Sequence, residues 1–345
     1  MIKRVLVVRN DKIGDFMLAW PAFAMLKAST DCHVTALVPA YTRQLAELCP
    51  SIDEVIVDTG KEALVAEQKN LLSQLKLHNF DAVICFFSNF RNAKLMWQAG
   101  IKQRWAPATK LAQLLYNHRV KQRRSQSAKP EYEYNLDLVR AFLQHNQLNI
   151  VEPQAPYLSF DATELAAFKA GQAQQLAIDA DKPWLLVHAG SGGSANNLSI
   201  SQYADLTLRL KLANPQLQIV LTAGPGEQAL AQQVVDLVGQ GATSQEVVLA
   251  HDLPLPDFCR LIACGNLFIA GSTGPLHIAA ALDVPTVGFF PLRRSATPLR
   301  WRPLNSEGRH LAFHPPANAQ VEDMSQVDMA EVAAAVTPWA LEFVS

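Results

Sequence analysis

The chain has no apolar run approaching the roughly 20 residues that a membrane-spanning helix needs. Its opening Met1-Ile2-Lys3-Arg4 passes through only Val5 to Val8 before it meets Arg9-Asn10-Asp11. Neither a membrane span nor a secretory signal is expected, so the protein is placed in the cytoplasm, with any contact to the inner membrane face peripheral. Cysteine is sparse and unpaired: Cys32, Cys49, Cys85, Cys259 and Cys264 are odd in number and form no CxxC. They read as buried reduced thiols, with no disulfide and no zinc site. GxGxxG does not follow the first apolar run, GxSxG is missing, and no two histidines stand at metal-ligand spacing on a helix. Dinucleotide binding in the first half, serine hydrolysis and metal-assisted hydrolysis therefore lack their usual residues.

One further absence is local. From Ala82 to Pro130 there is neither Asp nor Glu, while ten Lys and Arg residues fall in the same stretch. That segment carries +10 and the remainder of the chain −11, although the formal net charge is only −1. The asymmetry is either a solvated face or a field for an anionic partner. Arg119, Lys121, Arg123 and Arg124 are the candidate acceptor-binding cluster within it. Aromatic residues nearby, Trp97, Trp105 and Tyr116, raise nucleic acid as a competing partner. A near-neutral chain with several phosphate-type loops has a better use for one basic face, and no nucleic acid is expected.

What is present is a 345-residue chain, 49% hydrophobic and 18% charged, enough for two filled cores rather than disorder. Short β-rich runs at Arg4 to Val8, His33 to Val38, Glu54 to Asp58 and Asp81 to Phe87 alternate with stretches of helical periodicity such as Ala19 to Lys27 and Leu64 to Leu77. The same alternation restarts after Pro153 and Pro156, with strands at Trp184 to His188, Leu217 to Thr222, Glu246 to Leu249, Leu267 to Ala270 and Thr286 to Phe290. This predicts an α/β protein of two Rossmann-like parallel-sheet domains, residues 1–155 and 156–325, facing a cleft. A helical tail at 326–345 is expected to pack back toward the first domain.

Ligands of open parallel sheets bind beyond the carboxyl ends of the strands. Three such loops in the second half are glycine-rich: His188-Ala189-Gly190-Ser191-Gly192-Gly193, Ala223-Gly224-Pro225-Gly226-Glu227 and Ala270-Gly271-Ser272-Thr273-Gly274-Pro275-Leu276-His277. The third runs directly into a helix, so its backbone N–H groups and the helix dipole can hold a diphosphate. Ser272, Thr273 and His277 can add hydrogen bonds there, or His277 is a core histidine between Leu276 and Ile278. Glu227 either accepts from ribose hydroxyls or is a helix-start carboxylate. In the first half, Asp15 after Gly14 either caps a helix or serves as a general base toward an acceptor hydroxyl. Asp179-Ala180-Asp181 has metal-binding DxD spacing but precedes a strand, at the wrong edge of the sheet.

Val7-Val8-Arg9-Asn10-Asp11-Lys12-Ile13-Gly14-Asp15 resembles the opening strand and loop of family 9 glycosyltransferases, the ADP-heptose:lipopolysaccharide heptosyltransferases. Ser272-Thr273-Gly274-Pro275-Leu276-His277-Ile278-Ala279-Ala280-Ala281-Leu282 resembles their second motif, and His188-Ala189-Gly190-Ser191 the loop that meets the nucleotide-sugar. The resemblance implies a GT-B fold and an inverting, metal-independent transfer of heptose from ADP-L-glycero-β-D-manno-heptose to the Kdo and heptose inner core of lipopolysaccharide, with no cofactor. It implies Asp15 as catalytic base and Gly190, Ser191, Glu227, Leu255, Ser272, Thr273, Gly274 and His277 as donor-binding positions. Where many members of the family carry Lys or Arg, this chain reads Ser194-Ala195-Asn196-Asn197-Leu198. Lys12, Asn197 or the Arg293-Arg294 stretch is left to meet the diphosphate. A family 9 enzyme with another sugar or acceptor, and a non-catalytic nucleotide-sugar-binding protein, are the alternatives.

Overall fold

The computed structural model describes residues 2–193, 196–241 and 247–344, and the chain divides into two compact units, Met1–Tyr157 and Leu158–Ser345. The first unit runs β1 (Arg4–Val8), α1 (Ile13–Met17), α2 (Trp20–Ser29), β2 (His33–Pro39), α3 (Arg43–Leu48), β3 (Glu54–Asp58), α4 (Val65–Leu77), β4 (Ala82–Cys85), α5 (Phe90–Gln98), β5 (Gln103–Pro107), β6 (His118–Val120) and α6 (Glu131–His145). The second runs α7 (Ala162–Leu176), β7 (Trp184–His188), α8 (Ile200–Ala213), β8 (Gln218–Thr222), α9 (Gln228–Gly239), β9 (Val247–Ala250), α10 (Leu255–Cys264), β10 (Leu267–Gly271), α11 (Gly274–Ala281), β11 (Thr286–Phe289), β12 (His310–Phe313) and α12 (Met329–Val344).

Each unit contains a six-stranded, all-parallel sheet, in the orders β3-β2-β1-β4-β5-β6 and β12-β11-β10-β7-β8-β9. Counted within its own unit, the second order is the same as the first, so one topology occurs twice without an internal sequence repeat. Central strands of such sheets are covered on both faces and read as continuous apolar runs. Val5 to Val8 of β1 and all five residues of β7 are accordingly buried. The winding reverses between β1 and β4 and between β7 and β10, which opens a crevice at the carboxyl edge of each sheet.

Local chemistry starts several helices. Asn89 caps α5 by accepting from the Asn92 N–H, Asp161 caps α7, and Ser199 with Gln202 forms a reciprocal box at α8. The strands β5, β6 and β12 were not anticipated. β6 and β12 are edge strands of three and four residues, and β5 begins Gln103-Arg104 and ends at Pro107. Their pairing comes from neighbours in the ladder rather than from a pattern of their own. The strand expected from Glu246 is described from Val247 onward, Glu246 lying outside the described residues.

The tail is part of the second unit's core. α12 contributes Met329, Val332, Ala333, Val336, Ala340 and Val344 to the core of the second unit, where it packs against α8. Its apolar stripe is used there, and the helix continues through Pro338. Val336 is fully buried, so Val336→Asp places an unpaired charge in that core. The expected outcome is a loss of more than about 4 kcal/mol in chemical denaturation. An unchanged midpoint would show that α12 is not part of the core.

Candidate active site

In the first unit the candidate site is built around Arg9, the residue that follows β1. Its side chain is 2% exposed, and its guanidinium pairs with Asp11 at 2.9 Å, with Asp15 at closer range, and reaches Glu131 at 3.8 Å. Asn135 Oδ1 and the Phe86 carbonyl each lie 3.5 Å from Nη1. Phe86 follows β4 and Asn135 lies on α6, so Arg9 spans the crevice where the winding reverses. Burial opposes the charge of Arg9, but Asp11 and Asp15 outweigh it and hold the group still more firmly protonated. Glu131 is itself buried and pairs with Arg124, which also donates to the Phe86 carbonyl at 3.3 Å.

Three carboxylates thus share two guanidiniums. Asp11 is pushed up to about 6 by burial, against the pull of Arg9, with the charge of Asp15 adding to the rise and Arg124 opposing it. Asp15 has a different environment. It lies in the first turn of α1, which Lys12 precedes without a side-chain cap, and Asp15 is not the capping residue. Arg9 binds its Oδ1, Oδ2 takes no hydrogen bond among the described residues, and the side chain is 19% exposed. A carboxylate held by one oxygen and open at the other can accept a proton. The neighbouring Asn10 is fixed by reciprocal bonds with Asn92 at 2.7 and 3.0 Å and by Asp58, which also receives both Arg91 nitrogens at 2.6 and 2.9 Å. Lys12 is exposed and makes no ion pair among the described residues.

In the second unit Glu227 holds two glycine loops together. Oε1 accepts from Gly192 N–H at 2.7 Å, Oε2 accepts from Gly224 N–H at 3.1 Å, and His188 Nε2 lies 3.3 Å from Oε2. The His188 bond is the largest influence that holds Glu227 down, at about 2, against its partial burial, with the two N–H groups adding to it. His188 is oriented by Thr222 Oγ1, 2.9 Å from Nδ1. A Cβ at Gly190 would lie 2.0 Å from Glu227 Oε2, so the carboxylate occupies the place of a side chain there. Both oxygens of Glu227 are engaged within the protein, which favours its role as a loop clamp.

Asn197 does the same for the crevice between β7 and β10. Its Nδ2 donates to the Ala189 carbonyl at 2.9 Å and reaches that of Gly190 at 3.4 Å, while Oδ1 accepts from Tyr203 at 2.6 Å and Leu198 N–H at 2.9 Å. The amide also lies where a Cβ of Gly271 would be, 2.4 Å from Oδ1. Asn197, expected at the phosphate, directs its amide donors at backbone carbonyls. Asn196 instead bonds Glu322 Oε2 at 2.8 Å, and the other oxygen of Glu322 pairs with Arg293 at 3.1 Å. Ser194 and Ala195 lie outside the described residues.

The loop after β10 opens α11. Ser272 N–H is spent on the Phe289 carbonyl at 2.9 Å, and the Thr273 hydroxyl donates to the Gly271 carbonyl at 3.2 Å, so neither of these donors is free. Gly274 and Leu276 N–H groups, at the start of the helix, have no protein acceptor among the described residues. His277 is 1% exposed, its Nδ1 has no hydrogen-bond partner, and burial pulls it down to about 4. It is a neutral imidazole beside Trp301 at 6.2 Å between ring centroids, one turn into the helix. Leu255 is the first residue of α10 and half-buried, Gly190 is buried and Ser191 half-buried. In the basic segment Arg119, Lys121 and Arg123 are exposed, but Arg124, expected to bind acceptor, is committed to Glu131 and Phe86.

The family model for glycosyltransferase family 9 (heptosyltransferase) matches residues 69–330. The chain belongs to glycosyltransferase family 9. A Haemophilus influenzae protein named as a glycosyltransferase is 50% identical over 320 residues, 92% of this chain and 91% of that one. In fold, the chain is similar to the family 9 glycosyl transferase of Veillonella parvula, with TM-score 0.81, 17% identity and coverage of 99% and 98%. It is also similar to the Escherichia coli ADP-heptose lipopolysaccharide heptosyltransferase II, with TM-score 0.76, 18% identity and coverage of 98% and 99%. The protein is thus a glycosyltransferase with the GT-B fold.

For this family 9 member, sequence reasoning missed Arg9, Glu131, Asn135, His188 and Thr222 as organisers of the two loop sets. Arg9→Met leaves Asp11, Asp15 and Glu131 without their shared partner, and the expected loss is about 3–5 kcal/mol in denaturant unfolding. Glu227 carries a lowered folded value, so its stabilising contribution is full above the ordinary carboxylate value of 4.5 and disappears as pH falls toward about 2. The melting temperature of the wild type should therefore fall more steeply over that interval than that of Glu227→Gln, and parallel curves would remove the clamp assignment.

Proposed function

We propose that the enzyme transfers heptose from ADP-L-glycero-β-D-manno-heptose to the Kdo and heptose inner core of lipopolysaccharide on the cytoplasmic face of the inner membrane, with inversion at the anomeric carbon. The observation that carries this reading is Asp15, anchored by Arg9 through one oxygen and open at the other, at the carboxyl edge of the first sheet. As an acceptor hydroxyl attacks, Asp15 takes its proton, and Arg9 keeps the carboxylate oriented through the transfer.

The donor belongs to the second unit in this reading. The unpaired N–H groups of Gly274 and Leu276 and the dipole of α11 would bind the diphosphate and stabilise the charge that develops as ADP departs, with no metal invoked. Buried and neutral, His277 offers Nδ1 as a further polar contact. Glu227 holds Gly192 and Gly224 in register, so Gly190 and Ser191 can meet the nucleotide, with Leu255 along the base. Lys12 and Arg293 are the candidate cations for the diphosphate. Arg119, Lys121 and Arg123 would take the anionic groups of the acceptor. The DxD pair Asp179 and Asp181 precedes β7, on the edge opposite these loops.

A second reading, a family 9 transferase with another sugar or acceptor, is favoured by neutral Asn196 and Asn197 where many relatives carry a cation. Transfer from ADP-heptose to Kdo-bearing lipid A in metal-free buffer separates the two. Asp15→Asn is expected to lower kcat about 10²–10⁴-fold while donor binding persists. Donor binding without transfer by the wild type would favour the second reading, and retained activity in the variant would remove Asp15 as the base.

A further inference from the structure

α5 buries Asn92, Ala93, Leu95 and Met96, while Phe90, Lys94 and Trp97 face outward at helical spacing. A 3-10 turn at Leu111–Leu115 packs against α5, with Ala112 buried and Leu115 set against the core, and leaves Leu111 and Leu114 outside. Phe90 is 64% exposed, Trp97 55%, Leu111 80% and Leu114 72%. Single exposed apolar residues are ordinary, but four large ones on two elements packed together are not.

Along the chain, the charges that flank these residues share one sign. Neither element, nor any strand from β4 to β6, contains an acidic residue. Ion pairs within the first unit account for Arg91 with Asp58, Arg124 with Glu131, and Lys129 with Asp137. Lys94, within the apolar stripe, and Lys110, directly before Leu111, are exposed and have no ion pair among the described residues; the same holds for Lys121 and Arg123 beyond β6. Apolar side chains set among unanswered cations match a surface that is anionic at its face and apolar beneath it.

We propose that this face docks on an anionic phospholipid bilayer, with Phe90, Trp97, Leu111 and Leu114 entering the headgroup boundary and Lys94 and Lys110 against lipid phosphates. The face begins at Phe87 and Phe90, just after Phe86, whose carbonyl receives Arg9 and Arg124. It therefore adjoins the edge of the sheet that carries Asp15. That the docked surface presents a lipid-borne acceptor to Asp15 rests on the transfer reading; the docking itself does not.

Sedimentation of the full chain with phosphatidylcholine vesicles, with and without phosphatidylglycerol, tests docking in the absence of donor and acceptor. The wild type is expected to bind the phosphatidylglycerol vesicles, less so as salt rises. The double variant Leu111→Ser, Leu114→Ser should lower partitioning about ten-fold or more with its melting temperature unchanged. Lys94→Gln with Lys110→Gln should weaken binding and flatten its salt dependence. Failure of the wild type to bind these vesicles, or binding by both double variants equal to wild type, would overturn docking. Self-association that the leucine variant loses, without vesicle binding, would overturn it in favour of a second copy of this chain. Vesicle binding by a protein that transfers no heptose would leave docking in place and remove only the transfer reading.

Discussion

A guanidinium withdrawn from water has to be answered by carboxylates and carbonyls, and the first unit is organised by that requirement at Arg9. Desolvation of a charge costs several kcal/mol unless it is well paired. Arg9 draws Asp11 and Asp15 from the loop after β1, Glu131 and Asn135 from α6, and the Phe86 carbonyl from the end of β4. Three separate segments of chain meet on one side chain, and the open oxygen of Asp15 is a consequence of where its other oxygen is held. Burial raises Asp11 against the pull of Arg9, so it is the carboxylate of this group that takes up a proton most readily. Asp15 keeps its contact with solvent beside an anchored cation, an arrangement suited to accepting a proton from a hydroxyl.

The second unit meets a different requirement with the same topology. Its crevice offers N–H groups instead of carboxylates, and the loops that present them are short of side chains that would pin them. Glu227 and Asn197 supply the pinning, the first by accepting from Gly192 and Gly224, the second by donating to Ala189 and accepting from Tyr203. Gly190 and Gly271 are glycine because these two polar side chains already fill the space a Cβ would take. The usual explanation for glycine, freedom at positive φ, applies in the same loops to Gly192, Gly193 and Gly226. Gly190 and Gly271 are therefore explained by packing, and Gly192, Gly193 and Gly226 by backbone conformation.

Much of the architecture was legible in the chain because two-sided burial of central strands leaves continuous apolar runs. β1 and β7 begin and end where those runs do. Edge strands such as β6 and β12 were not legible, since half of each is solvated and its pairing is borrowed from a neighbour. α6 was also missed, although it buries Tyr134, Leu138 and Phe142 at helical spacing. The partners of Asn197 and Arg124 were not legible for one reason: a polar residue in a loop looks available until the groups that occupy its hydrogen bonds are brought beside it.

By itself, the order of residues determined the class of the fold, the loops at the strand ends and the membership of a glycosyltransferase family, because each depends on local pattern or contiguous motif. Tertiary structure alone decided which of those loop residues are free. Arg9 and Glu131 stand 122 positions apart, and Asn197 and Gly271 stand 74 apart. Electrostatic pairing and the filling of a glycine's missing side chain act through space over a few ångströms, and no local pattern records which distant residue will arrive there.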